Sequence, residues 1–251
     1  METKIYSQGN QDIIIHDVFN KISPTNKICV EFGFNCDSLT GGSGSNAANL
    51  ILNEGWGGLF FDGEFENKAI NLHKYFLTSD NICQIFDNHN VPIDLDYLSI
   101  DVDSTDLWLF DAVLNKYSPK LVSVEYNSHF SIDEAITFPN NTNETFEGDR
   151  GYGASLKALK LVADKHNYHL INVEQKLDCF FIHNDFKDCF EIPSLSDFKD
   201  NCLIDHHHPL YNTERHKMFL DYEVYLKTNG DIKASQRAAE EISKTRLTNN
   251  G

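Results

Sequence analysis

The sequence predicts an α/β fold built on a doubly wound, mostly parallel sheet. Short apolar runs end in acidic residues or glycine, helix-period segments separate them, and the composition is 41% hydrophobic against 24% charged. That composition belongs to a chain with a sizeable core and excludes disorder as its main state.

The first strand is KICVEF, 27–32, an apolar run that stops at Gly33 and a Gly/Ser-rich stretch, 35–45. Residues 46–53, NAANLILN, resume helical spacing, with Ala47, Leu50 and Ile51 on one face and Gly55 placed to end the helix. A second strand, 56–61, closes at Asp62-Gly63, and 66–76 carries a second helix pattern through Ala69, Leu72 and Phe76. A short helix over 80–90, ended by Pro92, leaves room for only a very short third strand before it. LDYLSIDV, 95–102, reads as a central strand buried on both faces with an acidic end, followed by a helix at 107–117 and a further strand, KLVSVEY, at 120–126. The polar, aperiodic stretch 127–152 is expected to be a long functional loop. A helix over 154–167 then leads into two strands, 168–173 and 179–183, whose short separation makes them an antiparallel hairpin. The chain is thereby divided into a core domain, 1–185, and a less regular C-terminal extension, 186–251, with an exposed helix expected over 231–244.

Lys and Arg number 21 against 38 Asp and Glu, a formal charge of -17 that disfavours nucleic acid or anionic membrane as partners. Without an apolar run of spanning length or a signal-peptide pattern, the chain reads as cytoplasmic. The six cysteines are scattered with no CxxC pair, so reduced thiols are expected. The sequons at Asn140 and Asn143 are chance matches in an Asn-rich loop.

Open α/β sheets bind ligands outside the carboxyl ends of their strands. In this chain those ends carry Glu31 and Gly33, Asp62, the run Asp101, Asp103 and Asp106, then Glu125 and Asn127. So many carboxylates suit hydroxyl, ammonium, sulfonium or divalent-cation ligands better than a bare phosphate. The cluster Gly41, Gly42, Gly44 is not a P-loop, because neither GxxxxGK[ST] nor a loop lysine is present. Asp62 stands where an acid receives paired ribose hydroxyls, or it simply forms an Asp-Gly turn. Asp101 and Asp103 are two apart, so on an extended strand end they share a face. They then bind a cation such as Mg²⁺, or they divide the work of substrate binding and proton abstraction. Alternatively Asp103 and Ser104 cap the following helix. Glu125 and Asn127 converge on the same point. His129 just beyond them is a general-base candidate, unless it is an exposed loop residue. His206, His207, His208 and His216, near Cys202, sit in a Pro-broken loop that cannot aim three adjacent rings at one zinc ion.

The segments VEFGFN, SNAANLILNEGWGGLFFDG, LDYLSIDVDSTDLWLFDAV, PKLVSVEYN and GYGASLKALKLVADKHNYHLINV, in this order over about 25–185, resemble class I S-adenosylmethionine-dependent methyltransferase-like proteins related to the FkbM type. The resemblance implies a Rossmann-like sheet of seven strands with an antiparallel last strand. It implies that Glu31 and Gly33 meet the methionine moiety, that Asp62 binds the ribose, and that Asn81 lies at the adenine edge. It places Asp101 and Asp103 toward the sulfonium and the acceptor, with Asp101, Asp103 and Asn127 available to Mg²⁺. The chain departs from the family pattern in its longer glycine loop, FNCDSLTGGSGS, and its truncated third strand.

The function expected is methyl transfer from S-adenosylmethionine to a hydroxyl of a small molecule or saccharide, with Asp103 or His129 taking the proton and 127–152 serving as the lid. The alternatives are a non-catalytic binding or scaffold protein and a metal-dependent hydrolase using Asp101, Asp103, Glu125 and the histidines. Association between copies is left open.

Overall fold

The computed structural model describes residues 6–140, 151–202 and 217–248. It begins with a helix absent from the expectations above, α1 (Gln11–Lys21), followed by β1 (Ile28–Phe32), α2 (Ala48–Glu54), β2 (Gly57–Asp62) and β3 (Leu72–Lys74). Next come α3 (Ile82–Asn88), β4 (Tyr97–Ile100), α4 (Asp106–Leu114), β5 (Leu121–Glu125), β6 (Ile136–Thr137) and α5 (Leu156–Lys165). The hairpin β7 (Tyr168–Val173) and β8 (Asp178–His183) precedes β9 (Leu220–Asp221), α6 (Tyr222–Lys227) and α7 (Ile232–Thr248).

Seven strands form one sheet in the order β3-β2-β1-β4-β5-β8-β7. β1 through β5 pair in parallel, and β8 runs antiparallel to both β5 and β7. This is a Rossmann-like α/β fold, as expected. Strand order reverses between β1 and β4, which fixes the switch point of the sheet.

Period-2 alternation along each strand separates two apolar layers. Cys29, Phe60, Tyr97, Leu121 and Phe180 face α1 and α2, against Ile15, Val18, Phe19 and Leu50. Val30, Phe61, Leu98, Val122 and Phe181 face α3, α4 and α5. The sequence signal for α1 is its own spacing: Ile15, Val18, Phe19 and Ile22 recur at helical intervals and are buried.

The expected helix over 66–76 is a correction. Only Lys68–Ile70 makes a 3-10 turn. Asn71 then adopts a left-handed backbone, φ 59°, and Leu72 pairs with Phe60 as β3. The Asn71 amide donates to the Gly58 carbonyl at 2.8 Å, so pairing with β2 overrides the local helix pattern.

The stretch expected to be a structureless loop contains β6, which pairs with β9 and bridges to Ala154. Leu220 and Tyr222 join the core beneath α4, so the C-terminal region is built onto the main sheet through them. The helix expected to be exposed, α7, buries Ser235 and Ala239. At the rim opposite the switch-point site, fully buried Asp96 accepts the N–H groups of Thr25, Asn26 and Lys27 and pairs with Lys120 Nζ at 3.0 Å. Among the described residues, no helix is long and apolar enough to cross a membrane.

Candidate functional site

Alternation places Glu31, Ser99, Asp101, Ser123, Glu125 and Asp178 on the sheet face that carries α1 and α2. The antiparallel direction of β8 brings Asp178, at its start, to the carboxyl rim of β5. A buried polar chain runs beneath them. The Tyr97 hydroxyl lies 2.7 Å from Ser123 Oγ, and Ser123 Oγ donates to Ser99 Oγ at 3.1 Å. Asn46 Nδ2 donates to Ser99 Oγ at 3.0 Å and to Asp178 Oδ2 at 3.1 Å, and Gln11 Nε2 donates to the same Asp178 oxygen at 3.0 Å.

Glu31 is buried and accepts the Ser45 hydroxyl at 2.7 Å and the N–H groups of Asn46 at 2.9 Å and Ala47 at 3.1 Å. It therefore satisfies the start of α2 from across the sheet. Gly33 lies at the switch point with φ 68°, and a Cβ there would sit 1.5 Å from the Asp101 carbonyl oxygen. The close approach that demands glycine is by the β4 backbone. An inner cavity of about 30 Å³, the size of a single water or small cation, is lined by Glu31, Asp101, Glu125 and Asp178 and covered by Gln8 and Gln11.

An outer cavity of about 420 Å³ shares Gly33 and Asp101 with the inner one and extends over the ends of β2 and β3. Phe61, Phe65, Tyr75 and Phe76 give it aromatic walls. Asp62 lines it and also ties its floor together. One oxygen accepts Asn35 N–H at 2.9 Å, and the other accepts Glu64 N–H at 2.6 Å and Phe65 N–H at 2.9 Å. Asp62 thus forms the Asp-Gly turn and faces the cavity at once. Asn81 stands outside both cavities; its side chain accepts Thr78 N–H and donates to the Phe76 carbonyl, ordering the turn into α3.

In DVDSTD the residue that orders the helix start is Asp106. It accepts Val102 N–H at 2.7 Å and Ser104 N–H at 3.0 Å, while Ser104 Oγ donates to the Val102 carbonyl. Asp103 adopts a left-handed backbone, φ 56°, and lines the outer cavity. Asp101, Asp103 and Glu125 each bring a carboxylate oxygen within 4.8 Å of the other two, and Glu125 Oε2 is buried without a hydrogen-bond partner. Such an oxygen set fits a divalent cation. Asn127 donates from Nδ2 to the Tyr152 carbonyl at 3.0 Å and accepts His129 N–H on Oδ1 at 3.0 Å. The third group beside the two aspartates is Glu125. His129 lines neither cavity, and the His206–His216 run lies outside the described residues.

Burial is the largest cause of raised pKa throughout the cluster. Glu31 and Asp106 are each pushed up to about 7. Asp101 is raised by burial and then by Asp103, Asp106 and Asp178; Glu125 by burial and then by Asp101 and Asp103; Asp103 and Asp178 by burial. The Glu125 carboxyl beside Asp101 partly offsets the rise there.

The unfolded chain releases these protons near its ordinary carboxyl values, whereas the native state holds them toward neutrality. Between those values the native state binds more protons, so stability falls as pH rises through about 7. Among the described residues, His89, lowered by burial and by His73, opposes this. Among the described residues, the carboxylates with lowered pKa, Asp87, Asp111 and Glu223, act only at more acid pH. Thermal unfolding followed by circular dichroism is expected to give a Tm about 5 °C or more higher at pH 5.5 than at pH 8. A Tm that rises with pH over that range would show the cluster to be ionised in the native state.

Gln8, Gln11, Asn46 and Asp178 were not expected at the site. Asp178 precedes an apolar strand whose antiparallel sense alone brings it to this rim, a signal present in the hairpin pattern. Gln8 and Gln11 arrive with α1.

No protein-family model matches the chain, and no curated protein matches it by sequence. Among solved structures it is similar to the methyltransferase MycE of the mycinamycin biosynthetic pathway, determined with Mg and SAH. The identity is 12% and the TM-score 0.43, over 76% of this chain and 58% of that one. The chain thus spans less than two thirds of that protein's length.

Proposed function

We propose that the chain is an S-adenosylmethionine-dependent methyltransferase that methylates a hydroxyl of a small molecule or saccharide. The observation that carries this reading is the convergence of acid-ended strands β1, β2, β4 and β5 on two adjoining cavities at the switch point. Asp62 is the acid for the ribose hydroxyls, and Phe61, Phe65 and Tyr75 offer flat apolar walls to a heterocycle. Glu31, Gly33 and Asp101 border the space left for the methionine moiety. Asp103 faces the outer cavity, and burial brings its carboxyl closer to neutral pH, where a proton acceptor works best. Positioning supplies much of the rate of methyl transfer, since the chemistry asks only for an in-line nucleophile and a proton acceptor.

Mg²⁺ is a cofactor that Asp101, Asp103 and Glu125 would hold; when bound it supplies a Lewis acid to the acceptor hydroxyl. That same trio favours metal-dependent hydrolysis as the second reading. Hydrolysis requires the cation and no methyl donor, so a chelator and omission of the donor separate the two.

The test is calorimetric titration of the protein with S-adenosylmethionine and S-adenosylhomocysteine, with and without Mg²⁺, comparing wild type with Asp62→Ala. The expected result is S-adenosylmethionine affinity weakened in the variant by about tenfold or more, the loss of two hydrogen bonds to a charged group. Circular dichroism checks that the variant folds. No heat at millimolar ligand under any condition would overturn the reading.

A further inference from the structure

The segment ahead of α1, residues 6–10, crosses the Gly/Ser stretch beside the inner cavity, and Gln8 is part of that cavity's lining. The Tyr6 carbonyl accepts Ser45 N–H at 3.1 Å, and a Cβ on Gly44 would sit 2.6 Å from that carbonyl oxygen and 2.9 Å from Gln8 N. Glycine at 44 therefore seats this strap. What holds the strap is polar. Ser7, Gln8, Gly9 and Asn10 carry no apolar side chain, whereas α1 behind them is fixed by buried Ile15, Val18 and Phe19. Asp12 Oδ2 accepts the N–H groups of Tyr6 and, at 3.2 Å, of Ser7. Gln11 Oε1 accepts Gly9 N–H at 2.7 Å, and Glu174 Oε1 accepts Asn10 N–H at 3.2 Å. Water replaces such bonds at little net cost. The closed strap also carries a penalty of its own, since Asp12 is 1% exposed and its Oδ1 is buried with no hydrogen-bond partner.

We propose that residues 6–10 form a gate over the inner cavity: the strap lifts from the Gly/Ser stretch while α1 stays packed, admits a ligand, and closes over it with Gln8 on the ligand's side. As closed, the cavity has room for a single water or small cation, so a larger group is accommodated there by raising the strap. Gly9, at the junction with α1, takes up the change in backbone angles. Opening exchanges the bonds to Asp12, Gln11 and Glu174 for bonds to water, and it gives Asp12 Oδ1 the partner it lacks. Closure over a bound ligand adds contacts that the empty protein does not have, so occupancy favours the closed strap and slows the ligand's escape. The opening is argued from the strap alone; that the ligand is the methyl donor rests on the reading above.

The test is hydrogen exchange of the full chain followed by mass spectrometry, without ligand and with saturating S-adenosylmethionine. Without ligand, the amides of 6–10 are expected to exchange about 100-fold or more faster than those of 15–19 in α1 and of β1. With S-adenosylmethionine bound, exchange over 6–10 is expected to slow by about tenfold or more. Gly44→Ala, whose methyl group pushes on the backbone of Tyr6 and Ser7, is expected to bring 6–10 close to open-chain exchange while β1 stays slow, and to speed dissociation of S-adenosylmethionine by about tenfold or more. Exchange over β1 shows whether the variant is folded, and the wild-type measurements decide the matter if it is not. A ligand-free strap that exchanges as slowly as β1 overturns the gate. S-adenosylmethionine that binds without slowing the strap also overturns it and leaves the methyl-donor reading intact. A strap that opens ahead of α1 in a protein to which S-adenosylmethionine does not bind upholds the gate and overturns the methyl-donor reading.

Discussion

Gly33→Ala is expected to cost roughly 4 kcal/mol of stability, a large share of what a domain of this size has to lose. Two effects add. The position has φ 68°, which an L side chain adopts at a cost of about 1–2 kcal/mol. The new methyl group would also sit 1.5 Å from the Asp101 carbonyl oxygen, so β1 and β4 would have to part at the switch point. Gly55→Ala provides the comparison, because Gly55 has φ 72° and nothing within 4 Å of an added Cβ. It is expected to cost only about 1 kcal/mol. Urea unfolding of both variants checks this, and equal losses would show that β4 does not press on Gly33.

If the proposed methyl transfer is the reaction, Asp103→Asn is expected to lower its kcat by about 10²–10⁴-fold, the usual worth of a positioned proton acceptor. The asparagine keeps the shape and removes the basic oxygen, so circular dichroism should be unchanged. His129→Asn, outside both cavities, is expected to cost less than about tenfold. Methylated product measured by mass spectrometry separates the two residues. An Asp103→Asn rate within about threefold of wild type, or a larger loss at His129, would move the proton acceptor away from the aspartate.

The parallel sheet and its closing hairpin were legible because each strand is a short apolar run with its own punctuation, and Tyr168–Val173 matches the expected bounds. The helix pattern over 66–76 misled because Leu72 is buried by pairing with Phe60, a long-range contact that local spacing does not encode. At the site, the expectation that Asp101 and Asp103 meet holds, but not through strand alternation, since β4 ends at Ile100 and Asp103 turns left-handed with φ 56°. Asn127 could not be placed that way. The chain leaves the extended form after Glu125, so the two-residue rule stops applying and its carboxamide turns to Tyr152 and His129. Asp106 escaped as the organiser of the DVDSTD turn because side-chain bonds to preceding N–H groups depend on backbone geometry that composition does not reveal.

The place of β8 between β5 and β7 has a consequence for the ribosome. β5 has its partner β4 as soon as residues 121–125 emerge, but its other edge pairs only with residues 178–183. At ordinary elongation rates the open edge waits on the order of several seconds for the chain that will cover it. During that interval the nascent protein presents unpaired backbone donors and acceptors beside Val122 and Val124, an invitation to mispairing with neighbouring nascent chains. Slow synthesis between residues 126 and 177 would therefore be expected to raise aggregation, and holdase chaperones that cover exposed strands would be expected to relieve it.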